Sequence, residues 1–423
     1  MDSIIVKGGK TLKGSIKISG AKNASLPAMA ACLLTKEEVI LSNVPNLVDI
    51  DTMKALIANH GGLCKRTGKS EITVRSDTIE NLIAPYDIVR KMRASFWVLG
   101  PLLARFGYAE VSLPGGCALG SRLVDQHLAV MEALGAKIKV KNGYIVASTK
   151  KKLKGAEYQF TKVTVGATIN GILAAVLADG MTILKNCAIE PEIVDLSKLL
   201  NAMGAKISGI GTDILTIEGV KELFGCRHKI IADRIEAGTY MCAVGITGGK
   251  VILENIDYAL VENTIQKLEE TGMVFNKLSE DKIEVIGAKI ITPSNVETET
   301  FPGFATDLQA QYTALMTIAS GKSIIHETIY ENRYMHVPEL CRMGANIHIE
   351  GHKAIVNGVD ELNGAEVMAT DLRASSSLII GGLRAHGQTK VRRVYHLDRG
   401  YENLVEKLRN CGAEIERVHG DKA

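Results

Sequence analysis

The sequence predicts an α/β protein made of six repeated α/β units, three in each half. Two phrases that run in step along the chain predict it. The first is helix–glycine–small residue–strand. It occurs at Asn59-His60-Gly61-Gly62, Leu134-Gly135-Ala136-Lys137-Ile138, Met203-Gly204-Ala205-Lys206-Ile207, Thr271-Gly272-Met273-Val274, Met343-Gly344-Ala345-Asn346-Ile347 and Cys411-Gly412-Ala413-Glu414-Ile415. Each closes a helical pattern, such as Val124 to Leu134 or Tyr401 to Cys411, with a glycine at the C-cap and a strand at once after it. The second phrase is a small-residue apolar helix entered near Ala24, Ala94, Ala167, Ala237, Ala310 and Ala374. These helices are apolar nearly all round, which predicts burial inside the domains, while the helices that end in Gly-Ala cover the outside. Segments such as Lys137-Ile138-Lys139-Val140 and Val251-Ile252-Leu253 supply the strands. The recurrence is about every seventy residues, longer than the usual solenoid period, so each unit is a sizeable supersecondary block. The break between halves falls near Lys229–Asp233.

A chain of 423 residues is too long for one ordinary core, so two domains are expected. Hydrophobic residues at 46% and charged residues at 23% place it among globular proteins. A net charge of +3 gives no ground for a nucleic-acid partner. No apolar run reaches membrane-spanning length, and the start, Met1-Asp2-Ser3-Ile4-Ile5-Val6-Lys7, lacks a secretory pattern. The expectation is a cytoplasmic protein with no membrane partner. Eight cysteines stand at 32, 64, 117, 187, 226, 242, 341 and 411 without metal-finger spacing, which predicts reduced thiols. Cys32 and Cys242, in small-residue helices, are expected in the core.

What precedes the six alanines points to chemistry. Asn23, Arg93, Gly166, Glu236, Gln309 and Arg373 come immediately before them, and Lys22, Arg90, Lys162, Asp233-Arg234, Asp307 and Asp371 lie just upstream. A helix N-terminus offers free N–H donors and a partial positive charge, hence a place for phosphate or carboxylate. Capping alone accounts for Asp233, Asp307 and Asp371. It does not account for Lys22, Arg93 or Arg373, because cations are disfavoured at that end; they imply an anionic partner. Two further stretches concentrate cations: Tyr330-Glu331-Asn332-Arg333-Tyr334-Met335-His336 and Tyr395-His396-Leu397-Asp398-Arg399-Gly400-Tyr401-Glu402. Taken singly, His336 and His396 read as packed or solvated rather than catalytic.

The loop Leu113-Pro114-Gly115-Gly116-Cys117-Ala118-Leu119-Gly120-Ser121-Arg122 carries three glycines and a proline, so it is neither helix nor strand. A cysteine beside an arginine on such a loop suits a lid over an anionic substrate. Other motifs fail their own tests. Gly321-Lys322-Ser323 lacks the earlier glycine of a P-loop, where Met316 stands, and Gly209-Ile210-Gly211 has Ile214 in place of the third glycine of a dinucleotide fingerprint.

Together these motifs resemble the family of UDP-N-acetylglucosamine 1-carboxyvinyltransferases (UDP-GlcNAc enolpyruvyl transferases) of the EPSP synthase superfamily. The resemblance is carried by Ser19-Gly20-Ala21-Lys22-Asn23-Ala24, Leu113-Pro114-Gly115-Gly116-Cys117, Lys162-Val163-Thr164-Val165-Gly166-Ala167 and Glu331-Asn332-Arg333-Tyr334-Met335-His336. Ala369-Thr370-Asp371-Leu372-Arg373-Ala374 and His396-Leu397-Asp398-Arg399-Gly400-Tyr401-Glu402 extend it across nearly the whole chain. It implies two inside-out α/β barrel domains with the active site in the interdomain cleft: an N-terminal domain of residues 22–232, and a C-terminal domain of residues 1–21 with 233–423. It also implies an enzyme of peptidoglycan synthesis, and so of cell wall biogenesis, cell shape and cell division.

The implied reaction moves the enolpyruvyl group of phosphoenolpyruvate to the 3-hydroxyl of UDP-N-acetylglucosamine and releases phosphate, with no cofactor and no metal. By resemblance, phosphoenolpyruvate meets Lys22, Asn23, Arg122, Arg333, Arg373 and Arg399. Cys117 is the general acid and forms an adduct with phosphoenolpyruvate or with the antibiotic fosfomycin. Asp307 takes the proton of the sugar hydroxyl, with Asp371, Lys22 and Arg399 completing the catalytic set. The nucleotide sugar contacts Asn23, Arg93, Arg122, Leu123, Val124, Asp125, Gln126, Lys162, Val163, Thr164, Val165, Asp307 and Ile329. Three alternatives remain at this stage: transfer to shikimate 3-phosphate, a non-catalytic sugar-binding paralogue, and a purely structural repeat protein.

Overall fold

A computed structural model describes residues 2–113 and 124–420. The contacts divide the chain into two compact units. One joins the chain up to Ser19 with the chain from Ala232 onward; the other comprises described residues between Gly20 and Ile231. Each unit has its own continuous apolar core. The described residues form six four-stranded sheets, three in each unit.

One repeat shows the plan. Strand Glu157–Gln159 leads into the buried helix Val165–Ala175, and strand Met181–Lys185 returns parallel to the first. Parallel neighbours need a crossover, and the helix supplies it. The outer helix Pro191–Ala202 follows, then the hairpin strands Lys206–Ser208 and Ile214–Glu218, paired antiparallel. The predicted inside and outside helices are both found. Every residue of Gln309–Met316 is buried, whereas Tyr258–Glu269 buries only Val261, Ile265 and Leu268, one stripe at helical spacing. Cys32 and Cys242 lie in the cores, as expected. Each outer helix ends at a glycine in the left-handed region: Gly61, Gly135, Gly204, Gly272, Gly344 and Gly412, with φ of 100, 91, 100, 88, 94 and 92°. A Cβ at these angles is strained, which is why the repeat phrase keeps glycine there.

The sheets do not respect chain order at three places. Lys13–Lys17 pairs parallel with Lys250–Glu254, and Arg227–Lys229 pairs parallel with Val39–Ser42. Ser3–Lys7 lies between Gln388–Arg392 and Glu414–Val418, antiparallel to both. Thus the N-terminal strands complete the fourth and sixth sheets, and a late strand completes the first. Around Ser19 the closure is polar. Its N–H donates to buried Glu236 at 2.7 Å and its hydroxyl to Glu402 at 2.8 Å. Lys407 bonds the Ser19 hydroxyl at 2.7 Å and Glu236 at 2.6 Å. Among the described residues no helix is long and apolar enough to cross a membrane.

A second repeat signal emerges only in three dimensions. Asn43, Asn186 and Asn255 each follow the strand after a buried helix and adopt φ of 57, 57 and 59°. Each side-chain amide donates at 2.8 Å to the carbonyl beyond the parallel edge strand: Ile230, Phe160 and Ile18 respectively. Asparagine tolerates the left-handed region and supplies the donor that ties the edge strand down. Asn186→Ala should therefore lose both contributions, roughly 2 kcal/mol, and Asn186→Gly only the hydrogen-bond part, about half as much. Urea unfolding measures the two; equal midpoints for wild type and Asn186→Ala would refute the assignment.

Candidate active site

The predicted site residues fall into two groups, one in each unit. In the later unit the organising group is Asp307, in the 3₁₀ turn Thr306–Leu308 that leads into the helix Gln309–Met316. Its carboxylate is gripped by two guanidiniums, Arg333 at 2.6 Å and Arg373 at 2.8 Å. Both arginine side chains are only 6% exposed while that of Asp307 is 28% exposed, so the pair of cations is buried and the carboxylate faces outward. Burial by itself would raise the pKa of Asp307. The charges of Arg373 and Arg333 outweigh it and hold the carboxyl well below the usual range. Arg373 in turn stays protonated against its burial because of Asp307.

This corrects one expectation. Asp307 does not cap its helix: no side-chain cap bond forms at that end. Asp233 and Asp371 do cap theirs. Asp233 accepts from Ile235 and Glu236 N–H at 2.9 and 3.0 Å, Asp371 from Arg373 and Ala374 N–H at 2.8 and 3.0 Å. The cation at the start of this last helix, Arg373, is therefore tolerated because Asp307 lies against it.

Behind the ion pairs stands a buried polar hub. The Tyr401 hydroxyl bonds Thr239 at 2.8 Å, Gln311 at 3.1 Å, Arg373 at 3.2 Å and Ser376 at 3.1 Å. Those partners come from all three buried helices of the unit. Gln311 also donates to the Asp307 carbonyl at 2.9 Å. On the other side, Arg333 donates to Thr306 at 2.8 Å, and Thr306 to the buried Glu327 at 2.8 Å. Glu327 also accepts the N–H groups of Ile329 and Tyr330 at 2.9 and 3.0 Å, which fixes the Ile329 backbone. Asp371 lies close enough to affect both His336 and His396. Burial pushes His336 down to about 4, the charge of Asp371 works against this and that of Arg333 with it. Burial also lowers His396, with Arg393 and Arg399 adding to the shift and Asp371 opposing it. Arg399, at the end of the 3₁₀ helix Val394–Arg399, thus belongs to the same neighbourhood.

In the other unit Lys22 opens the helix Lys22–Ala31 and pairs with the buried Asp49 at 3.3 Å, while Asn23 follows it in the first turn. Arg93 opens the 3₁₀ helix Arg93–Val98. Val124 precedes the helix Asp125–Ala133, whose Gln126 accepts from the Thr161 N–H at 3.0 Å and the Tyr158 hydroxyl at 3.4 Å. This brings Gln126 beside the segment leading to Lys162, Val163, Thr164 and Val165, the last opening the helix Val165–Ala175. His127 was missed in the sequence. It is buried, with Nδ1 2.9 Å from the Asn170 amide and its ring edge-on to Phe96. A Cβ on Gly166 would come to 3.0 Å from this imidazole, a tight contact that the ring would have to relieve by shifting. Burial, reinforced by the charge of Arg93 and opposed by that of Asp125, drives His127 down to about 3.

Cys117, Arg122 and Leu123 lie outside the described residues. Among the described cysteines, burial raises Cys242 and Cys187 to about 12 and Cys64 and Cys411 to about 11, which makes them poor nucleophiles. No group of three His, Cys, Asp or Glu among the described residues is arranged to hold a metal ion. Three of the residues that sequence reasoning missed share one signal. Asn170, Thr239 and Gln311 are polar positions inside helices that otherwise read as apolar on every side.

The His127 shift has a measurable consequence. Its folded pKa lies far below the usual 6.5, so the unfolded chain takes up the proton first. The neutral imidazole's contribution is complete above pH 6.5 and is lost as pH falls towards 3. Between pH 6.5 and 5 the wild type should lose about 1.4 kcal/mol per pH unit relative to His127→Gln, read by urea unfolding. Parallel pH profiles for the two proteins would contradict a buried neutral histidine.

The chain matches, over residues 6–408, the family described as EPSP synthase (3-phosphoshikimate 1-carboxyvinyltransferase). It is 56% identical over 421 residues to the UDP-N-acetylglucosamine 1-carboxyvinyltransferase of Rickettsia bellii (strain OSU 85-389), covering 99% of this chain and 100% of that protein. The protein of that name from Rickettsia akari (strain Hartford) is 54% identical over the same coverage. The fold is shared with the enolpyruvyl transferase NikO from Streptomyces tendae, at 23% identity and a TM-score of 0.90 over 99% of both chains. It is shared also with EPSP synthase from Acinetobacter baumannii, at 17% identity and a TM-score of 0.77 over 99% of this chain and 100% of that one. With this full-length agreement, the chain belongs to the EPSP synthase family and, within it, to the UDP-N-acetylglucosamine 1-carboxyvinyltransferases.

Proposed function

We propose that this protein transfers the enolpyruvyl group of phosphoenolpyruvate to the 3-hydroxyl of UDP-N-acetylglucosamine, releasing phosphate, as the first committed step of peptidoglycan precursor synthesis. The observation that carries this reading is the 56% identity, over 99% of the chain, to a relative named for that reaction. The Arg333–Asp307–Arg373 arrangement supports it, because it sets a carboxylate base beside two cations suited to a substrate with two anionic groups.

In this reading Lys22, Arg122, Arg333, Arg373 and Arg399 receive the phosphate and carboxylate of phosphoenolpyruvate, with Asn23 beside them. Each charge-assisted contact contributes on the order of 1.5–3 kcal/mol. Cys117 donates a proton to C3 of the enol as the sugar 3-hydroxyl attacks C2, and Asp307 takes the hydroxyl proton. The tetrahedral phospholactoyl adduct then loses phosphate by cleavage of its C2–O bond, and a proton leaves C3 to restore the vinyl group. A carboxylate held by two guanidiniums is a weak base. The anionic groups of phosphoenolpyruvate compete for those guanidiniums, and their partial transfer to substrate makes Asp307 more basic when it is needed. Asp371 keeps the Arg373 end of its helix in place. The nucleotide sugar is taken by Arg93, Val124, Asp125, Gln126, Lys162 to Val165 and Ile329, with Arg122 and Leu123. The reaction uses no cofactor, and its place is the cytoplasm.

Phosphate release from phosphoenolpyruvate, measured with UDP-N-acetylglucosamine and with shikimate 3-phosphate, tests the proposal. Release with the nucleotide sugar alone is expected; release with shikimate 3-phosphate alone, or with neither, overturns it. In the same assay Asp307→Ala should reduce turnover by about 10²–10⁴ while calorimetry shows sugar binding largely kept. A near-normal turnover number would remove Asp307 from the mechanism.

Cys117 is expected to be the thiol that fosfomycin alkylates, faster in the presence of the nucleotide sugar. Cys117→Asp should resist the drug yet turn over, since an acid remains; Cys117→Ala should not turn over. Peptide mapping that finds the label on Cys341 or Cys226, or an active Ala variant, contradicts this.

A further inference from the structure

The sheet repeats supply an internal comparison that isolates one surface. Each of the six sheets ends in an equivalent edge strand: Leu63–Gly68, Lys137–Lys141, Lys206–Ser208, Val274–Ser279, Asn346–Glu350 and Glu414–Val418. Lysine on an edge strand is a common guard against sheet-to-sheet pairing, and such a guard would be needed equally at all six. Three of them balance charge locally. Lys206 pairs with Glu218 at 2.6 Å, Lys277 with Glu280 at 3.1 Å and Glu414 with Lys10 at 3.1 Å. Asn346–Glu350 carries no lysine, and Leu63–Gly68 carries only Lys65 and Arg66, the latter donating to the Val44, Pro45 and Lys69 carbonyls.

The strand Lys137–Lys141 differs. Lys137, Lys139 and Lys141 alternate on one face, opposite Ser148, Val146 and Tyr144 of a partner strand with no carboxylate. The chain then continues through Lys150, Lys151, Lys152 and Lys154, with Leu153 between them buried. The Lys154 N–H bonds the Leu134 carbonyl at 2.9 Å, which brings this run back beside the start of the lysine strand. All seven lysines are exposed, and residues 137–154 contain no Asp, Glu or Arg. Asp179 lies across an isolated bridge from Lys154. Even so, among the described residues none of the seven has a carboxylate within ion-pair distance.

We propose that the lysine surface of residues 137–154 docks the protein peripherally on an anionic lipid bilayer. Seven unpaired point charges on one continuous stretch suit a partner whose negative charge is spread over an area. With seven lysines and no arginine the surface offers point charges and lacks the planar fork that reads one phosphate or carboxylate bidentately. Tyr144 is the one aromatic ring of the hairpin, so a stacking platform for single-stranded nucleic acid is missing. The residues proposed for catalysis and substrate binding are not among the seven, so docking and turnover are separable.

Flotation of the full-length protein with phosphatidylcholine vesicles, with and without phosphatidylglycerol, tests this. Binding is expected only with the anionic lipid, and should disappear between about 0.1 M and about 1 M salt as the screening length falls from about 10 Å to about 3 Å. The variant K139S/K141S/K151S/K152S should bind on the order of tenfold or more weakly, with its turnover and melting unchanged. K206S, on an equivalent edge strand, should bind like wild type. No binding to anionic vesicles at low salt, or equal binding by the quadruple variant, overturns the proposal. So does tighter binding of a DNA fragment or an acidic peptide than of the vesicles.

Discussion

A helix buried on every side can begin only where something answers its free N–H groups and any charge it carries. That constraint governs both units. Three such helices stand in each, largely apolar along their length, and their first turns are where charged groups enter without being stranded. Asp233 and Asp371 meet the requirement as caps. Asp49 meets it for Lys22, and Asp307 for Arg373. The fold therefore gathers its charged groups because it buries its helices, and a cluster of ready charges is the raw material of an anion-handling site.

The Asp307 cluster shows how structure and chemistry share the same bonds. Two buried guanidiniums need a carboxylate to stay charged in a poorly solvated place, and the carboxylate needs them to remain ionised. Neither arginine is loose. Arg333 is held by Thr306, itself held by Glu327, and Arg373 by the Tyr401 hydroxyl that joins the three buried helices. Such a supported cluster is preorganised, so a substrate that engages it meets groups already aimed. His336 is kept neutral at its border by burial, which avoids a third cation against the two arginines.

The repeats also show where symmetry ends. All six outer helices close on a left-handed glycine, but among the described residues three edge strands are tied by a left-handed asparagine; Arg393 holds the equivalent place in the sixth repeat with φ of 59°. The backbone plan is shared, and side chains are released from it where a local task differs. The edge strand of the second sheet departs in the same way, keeping its geometry while changing its charge.

Much of this protein was legible in its sequence. Glycine at Gly61, Gly135, Gly204, Gly272, Gly344 and Gly412 is a local requirement of backbone geometry, and the apolar helices entered at Ala24 to Ala374 are a local pattern, so the six repeats could be read directly. So could Lys22, Arg93 and Arg373, because a cation at a helix start contradicts a local rule. What the sequence could not decide were partnerships across long separations. That Ser3–Lys7 sits between strands near the other end of the chain depends on which edges are left open once the helices are packed. That Asp307 pairs with arginines 26 and 66 residues away, and does not cap its helix, depends on the three buried helices converging. Gln311 and Thr239 stand out locally only as polar positions in apolar helices, and the partners of Tyr401 and His127 have no local signature, since the energy of a buried polar group comes from neighbours that only the tertiary fold brings within reach.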